Sequence, residues 1–270
     1  MLELRLFALP GPSRDRLADR LWEELGAAWV SADQHELVAG FAEDALAQRA
    51  ADATGGRLAA VDEHDLSYLD AWREWARPAQ AGRLLIRPPW VAASTVGPRP
   101  ELVEVVIDPG HAFGHGGHPS TRLVLEALSA RLRPGQSVLD VGCGSGVLSV
   151  AAAALGAGSV TAIDIDPVAV SVTSANAQLN GVADRITASD RSVAAVPGRF
   201  DVVLANIGVV VLRELAPFLV ERVKPGGWLA LSGLLEHQWE EVAAEVKGRI
   251  EGVLREDGWT AVVIERPSSR

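Results

Sequence analysis

The stretch VLDVGCGSGVLSVAAAALGAGSVTAIDID, residues 138–166, decides the fold. An apolar run reaches Asp140, glycines follow at 142, 144 and 146, an alanine-rich helical stretch comes next, and a second apolar run ends at Asp164. Strand, glycine turn, helix, strand is the opening unit of a parallel sheet. Ligands of such sheets bind where the carboxyl ends of the strands meet the turn. Glycines at 142 and 144 let backbone approach a ligand closely, and a carboxylate at the end of the second strand can accept two hydrogen bonds from a ribose.

Nicotinamide dinucleotides and S-adenosylmethionine both fit that outline, and the spacing separates them. A dinucleotide fingerprint, G-x-G-x-x-G/A, would put its third small residue where Val147 stands; here it falls at Gly146, giving G-x-G-x-G. A dinucleotide also seats its pyrophosphate on the helix N-terminus, whereas adenosylmethionine has no phosphate and a cationic amino-acid end. Asp140, just before the loop, favours such a charge directly or through water. The plainer alternative is that the glycines serve only a tight strand-to-helix turn.

Downstream, SVTAIDID, RITAS, FDVVLANI and WLALSGL are apolar runs separated by helical stretches, the pattern of strands buried on both faces of a parallel sheet. In IEGVLREDGWTAVVIER, Asp257-Gly258 is a hairpin signal that predicts one antiparallel strand at the end of that sheet. Asn206 closes the fourth run, placed for contact with the reacting end of a cofactor or an incoming nucleophile; a strand-end Asn can equally cap the next helix. No Asn-Pro-Pro-Tyr follows it, which argues against a nucleobase or glutamine acceptor and leaves flexible amines open. Asp190, after the third strand, reaches either an adenine or a surface turn.

Upstream the pattern differs. LELRLF alternates as a half-buried strand, SRDRLADRLWEELG carries Leu17, Leu21 and Leu25 at helical spacing between Ser13 and Gly26, and AAWVSADQHELVAGF reads as two strands around Asp33-Gln34. A helix, AEDALAQRAADATGG, and a last strand, RLAAV, complete the order of a ferredoxin-like α+β domain over residues 1–65. With no phosphate loop and no cluster of titratable groups, it reads as a docking module. Residues 66–95, with Trp72 and Trp75 and prolines at 78, 88 and 89, are expected to be a linker, and residues 96–270 the α/β catalytic domain, a Rossmann-like, mostly parallel sheet.

The 270 residues carry a formal charge of -10, which weakens a general nucleic-acid binder and favours a basic protein partner. Only two of the 25 basic residues, Lys224 and Lys247, are lysine. The single cysteine, Cys143, forms no internal disulfide and reads as a small loop residue, and no apolar run is long enough to span a bilayer. A cytoplasmic protein with no membrane segment is the expectation.

The segment DPGHAFGHGGHPSTR, residues 108–122, holds His111, His115 and His118 among four glycines. A metal site lacks an accompanying carboxylate or thiol in any recognisable signature. The preferred reading is a lip over the cofactor pocket, with His118-Pro119 opening a helix, His115 touching cofactor or acceptor, and His111 structural.

Taken together, DPGHAFGHGGHPSTRLVLEAL, LDVGCGSGVLSVAAAALGA, IDIDP, LANI with LRELAP, and KPGG resemble the bacterial ribosomal-protein methyltransferase family of the PrmA type, which modifies ribosomal protein L11. The resemblance is strong from Asp70 to Leu235 and consistent in topology over the first 65 residues. It implies a class I fold and S-adenosylmethionine as cofactor, with Thr121, Gly142, Gly144, Asp164 and Asn206 holding it. It also implies that the small N-terminal domain recognises the substrate protein. The lip departs from the family's usual G-T-G-T-H-P-T-T, with His115 and Gly117 where two hydroxyl residues are common. That departure bears on the acceptor, the lysine or N-terminal amines of ribosomal protein L11 or a lysine of a metabolic or electron-transfer protein. Asn206 is expected to orient the amine, with water or His115 accepting its proton. Other readings are a nicotinamide oxidoreductase, disfavoured at Val147, and a non-catalytic binding protein.

Overall fold

Alternation of apolar residues along Leu2–Phe7 (β1) does what the sequence suggests: Leu4 and Leu6 are buried, opposite Ala39 and Leu37 of the paired strand. The structure, a computed structural model, describes residues 2–7, 17, 20–21, 25, 29–32, 36–41, 44–60, 77–92, 101–110, 112 and 114–268. The chain divides into two units, Met1–Trp72 and Arg73–Arg270.

In the first unit, β1 is followed by β2 (Trp29–Ala32), β3 (Glu36–Phe41), α1 (Asp44–Thr54) and β4 (Arg57–Ala60). The sheet order is β2-β3-β1-β4, with every pair antiparallel. One face of α1 presents Ala47, Ala50 and Ala51 to the core, where they meet Leu4, Leu37 and Phe41. Small residues at those positions bring helix and sheet close. Of the helix expected between Ser13 and Gly26, Leu21 is helical and fully buried; Ser13 and Gly26 lie outside the described residues.

The second unit begins with β5 (Ala79–Ala81), β6 (Leu84–Arg87) and β7 (Val103–Val106), a small sheet in which β6 pairs antiparallel with β5 and parallel with β7. Part of the segment expected as a linker is therefore ordered strand. Pro78 precedes β5 and Pro88 follows β6, so the prolines bound the ladder rather than interrupt it. Ala81, Leu84 and Ile86 are buried with Val124 and Leu128 of α2 (Pro119–Arg131). Trp72 and Trp75 lie outside the described residues.

The large sheet is built from β8 (Ser137–Val141), α3 (Val147–Ala154), β9 (Ser159–Ile163), α4 (Pro167–Leu179), β10 (Ile186–Ser189), β11 (Phe200–Asn206), α5 (Val209–Glu221), β12 (Val223–Leu235), α6 (Trp239–Ala244), β13 (Arg249–Glu256) and β14 (Trp259–Glu265). Its order is β10-β9-β8-β11-β12-β14-β13, parallel from β10 to β12. β14 runs antiparallel to both neighbours. It is the one antiparallel strand the sequence foretells, yet it lies inside the sheet, with β13 at the edge. Composition explains the placement: Thr260, Ala261, Val262, Val263 and Ile264 are all buried, whereas β13 carries Arg249, Glu251, Arg255 and Glu256. Asp257 and Gly258 turn the hairpin with φ of 48° and 81°, both in the left-handed region that suits the strand twist.

Alternate residues of the strands feed two apolar layers. Val138, Val202, Leu204 and Ala230 pack beneath α2 and α3, while Leu139, Val203, Ala205 and Leu231 pack against α5. Both faces of the sheet are thus covered, and the carboxyl ends of β8, β9 and β11 meet along one edge.

Candidate active site

Gly142, Gly144 and Gly146 leave β8 with φ of 73°, 53° and 79°. Crowding adds to the demand for glycine at the first: a Cβ on Gly142 would stand 2.3 Å from Ile207 Cγ2. The loop is hung from the next strand, since Gly142 N and Cys143 N donate to Ile163 O at 2.8 and 3.1 Å.

Asp164 follows β9, and its carboxylate is clamped by two backbone amides. Gly144 N donates to Oδ2 at 2.9 Å and Asp166 N to Oδ1 at 3.0 Å. A carboxylate oxygen accepts two hydrogen bonds, so each keeps capacity for a ligand hydroxyl. Beside it Ile165 is 89% exposed, a large aliphatic surface turned to solvent at the edge where a planar ring could rest. Asp166 caps α4 by accepting from Val168 N at 2.8 Å. Asp190 is exposed at the end of β10.

Beneath the glycine loop lies Asp140, fully buried. Ser149 Oγ donates to its Oδ2 at 2.6 Å, while Oδ1 has no hydrogen-bond partner among the described residues. Burial raises its pKa to about 6, against the Ser149 hydrogen bond, and the charge of Asp164 pushes the same way as burial. An ionised, half-satisfied carboxylate in that position is a ready acceptor for a cationic group. Cys143 is buried, accepts from Thr173 Oγ1 at 3.3 Å, and burial pushes its thiol pKa far up, which removes it as a nucleophile.

Asn206 ends β11 and donates through Nδ2 to Thr121 Oγ1 at 3.0 Å. Thr121 is buried in the first turn of α2, so the carboxamide is held by a fixed hydroxyl. Among the described residues Thr121 is the one hydrogen-bond partner of the Asn206 side chain, which leaves Oδ1 available to a donor at the sheet edge. The helix-capping alternative for Asn206 is not what forms: α5 has Gly208 at its cap.

The lip crosses the same edge. His118 is the N-cap of α2, its Nδ1 accepting from Ser120 N at 3.3 Å and lying 2.8 Å from Ser120 Oγ, with Pro119 opening the helix. Its ring stands edge-on to Trp259, centroids 4.7 Å apart. Burial, aided by His115 and Arg122, lowers its pKa to about 4. His115 is also lowered by desolvation, and its Nδ1 accepts from Gly117 N at 3.1 Å. With Nδ1 accepting from Gly117, the neutral ring carries its proton on Nε2. A Cβ on Gly117 would stand 2.8 Å from His115 Cε1, so the two departures in the lip form one unit: the ring fills space a side chain at 117 would need. Among the described residues no group of three potential ligands could hold a metal ion; His111 lies outside them.

Sequence reasoning missed several contributors. Ser149, Thr173 and Asn176 are buried polar residues on helices. Their signal was a polar side chain interrupting an otherwise apolar helical stretch, as Ser149 does in VLSVAAAA.

The pattern of the family described as "Ribosomal protein L11 methyltransferase (PrmA)" matches residues 18–267. The chain belongs to that family. Curated relatives called ribosomal protein L11 methyltransferase include one from Citrifermentans bemidjiense, 48% identical over 185 residues, covering 66% of this chain and 59% of the relative. One from Shewanella woodyi is 48% identical over 180 residues, covering 66% and 60%. This chain thus spans about three fifths of the length of the relatives it matches. A solved structure, the ribosomal protein L11 methylase from Lactobacillus delbrueckii subsp. bulgaricus, superposes with a TM-score of 0.64 at 32% identity, over 71% of this chain and 99% of that one. The PrmA-family chain therefore has the expected fold class, a Rossmann-like, mostly parallel sheet. Among the described residues no helix is long and apolar enough to cross a membrane.

Proposed function

We propose that this chain transfers methyl groups from S-adenosylmethionine to amines of ribosomal protein L11, lysine side chains or the N-terminus, in the cytoplasm. The observation that carries the reading is the Asp164 carboxylate, clamped by Gly144 N and Asp166 N with acceptor capacity to spare beside a glycine loop. The residues present fit the donor. Asp164 would take the ribose hydroxyls, the backbone of Gly142 and Gly144 would allow close approach, the exposed Ile165 would lie against the adenine, and the orphaned Asp140 Oδ1 would favour the cationic amino end.

When bound, the donor supplies a methyl group on a positively charged sulfur; the amine nitrogen bonds to that carbon as the sulfur–carbon bond breaks and the sulfur keeps the electron pair. The protein has to present the amine neutral and aligned. A free lysine, with a pKa of about 10.4, is almost wholly protonated at neutral pH. Asn206 Oδ1 would accept a hydrogen bond from the amine N–H and aim its lone pair, with Thr121 fixing the carboxamide. The buried Thr121 thus acts through Asn206 as much as on the donor. Water at the open edge would take the proton. Residues 1–65, with the strand order β2-β3-β1-β4, are proposed as a ferredoxin-like substrate-recognition module and 96–270 as the catalytic domain, with the part of 66–95 that forms β5 and β6 belonging to the catalytic unit. The net charge of -10 suits a basic protein acceptor.

Incubation with purified ribosomal protein L11 and labelled adenosylmethionine, read by intact-mass and peptide mass spectrometry, tests this. Steps of one methyl mass on lysine or N-terminal amines are expected; label on another lysine-containing protein alone would move the acceptor, and label on nucleic acid alone would overturn the assignment.

A further inference from the structure

Asn176 of α4 and Asn180, the residue that caps its C-terminus, stand one turn apart, and each grips one residue of the backbone that runs from β7 towards the lip. Asn180 Oδ1 accepts from Val106 N at 2.8 Å while its Nδ2 donates to Val106 O at 2.6 Å. Asn176 Oδ1 accepts from Asp108 N at 3.0 Å while its Nδ2 donates to Asp108 O at 2.8 Å. Each carboxamide thus satisfies both backbone groups of one residue, as a neighbouring antiparallel strand would. The repeats agree: four helical residues rise about 6 Å, and two strand residues about 6.6 Å. The two carboxamides thus stand in for a strand partner at the end of β7 and just beyond it, at Val106 and Asp108.

Asn176 carries the connection further. Its Nδ2 also donates to Ser145 O at 2.9 Å, and Ser145 Oγ donates to Gly114 O. Both polar side chains are buried, Asn176 at 1% exposure and Ser145 at 0%. The bonds close a circuit: Asp108 to Asn176, Asn176 to Ser145, Ser145 to Gly114. Both ends of the segment 108–114 are therefore tied to a single residue of the glycine loop. Gly114 holds a φ of 106°, which glycine adopts without a steric cost, and a Cβ there would stand 3.1 Å from Ser145 Oγ, so the close approach to Ser145 suits glycine.

We propose that Ser145 and Asn176 are positioning residues of the donor site, clasping the lip to the glycine loop so that lip placement and donor residence are coupled. The proposal rests on the donor reading above. Neither side chain touches reacting atoms; each acts through the backbone it holds. Removing the Ser145 hydroxyl leaves the Gly114 carbonyl without its tie, and the lip then opens more often over a bound donor.

The test uses the full chain with Ser145→Ala, adenosylhomocysteine as probe, calorimetry for affinity, stopped flow for dissociation and hydrogen–deuterium exchange for the lip. The expected result is about tenfold weaker binding carried by faster dissociation. Faster exchange is confined to amides 114–118, and the ligand-free melting temperature holds within about 2 °C. Asn180→Ala, which frees Val106 but spares the Ser145 link, changes affinity less than about twofold. Unchanged affinity and lip exchange in Ser145→Ala overturns the proposal, as does exchange that rises across the whole unit with a lower melting temperature. If wild type itself fails to bind the probe, the functional reading falls; exchange at 114–118 in the ligand-free variant still decides the clasp, and no change there overturns it.

Discussion

Gly142→Ala places a methyl group where the structure has no room for one. The residue sits at φ 73°, where an L side chain costs about 1–2 kcal/mol. The new Cβ would lie 2.3 Å from Ile207 Cγ2, more than 1 Å inside the ordinary carbon–carbon contact of about 3.5–4.0 Å. Ile207 is β-branched and stiff at χ1, so moving it off its rotamer adds about 0.5–1.5 kcal/mol. A total of about 2–3 kcal/mol follows, or a melting temperature lower by about 4–12 °C for a unit of this size. The assay is chemical denaturation of wild type, Gly142→Ala, Ile207→Ala and the double variant. Removing the isoleucine relieves the clash but not the backbone strain, so the cycle should return a coupling of about 1 kcal/mol, with the double variant recovering part of the loss. A loss under about 0.5 kcal/mol for Gly142→Ala, or a coupling of zero, would refute the argument that this glycine is fixed jointly by its φ and by Ile207.

Two further outcomes concern the chemistry. Since burial raises the Asp140 pKa to about 6, its charge fades as pH falls through that value, and adenosylhomocysteine should bind progressively more weakly from pH 7.5 to 5. Asp140→Asn should bind weakly throughout and lose that pH slope; calorimetry at several pH values reads both. The same shift has a definite sign for stability: a folded pKa above the ordinary 3.8 contributes stabilisation present below 3.8 and lost as pH rises through about 6, so the ionised form is retained at a cost to the fold. Asn206→Ala should lower kcat by about 10²-fold or more while donor affinity changes less than about threefold, because the carboxamide aims the amine; steady-state kinetics against a donor titration separates the two.

The glycine loop, Asp164 and the alternation of strands and helices were legible because each is a local pattern: a run of apolar residues, a turn that demands glycine, an acid at a strand end. The insertion of β14 between β12 and β13 was not, since pairing order is a long-range choice, although the apolar run Thr260–Ile264 against the charged β13 held the clue. The strands β5 and β6 were read as connection because prolines flank them, and proline marks a boundary without saying which side of it is ordered. The Asn176 and Asn180 grip on Val106 and Asp108 was out of reach, because it joins residues 68 and 74 positions apart through side chains whose spacing also suits a solvated helix face.

Calorimetric titration of adenosylhomocysteine into wild type and Asp164→Ala bears most directly on the donor site. The clamped carboxylate offers two charge-assisted hydrogen bonds to a ribose, at about 1.5–3 kcal/mol each, so the variant should bind at least about 10²-fold more weakly with an unchanged fold. Equal affinity in the two proteins would contradict the placement of the donor between the glycine loop and Asp164.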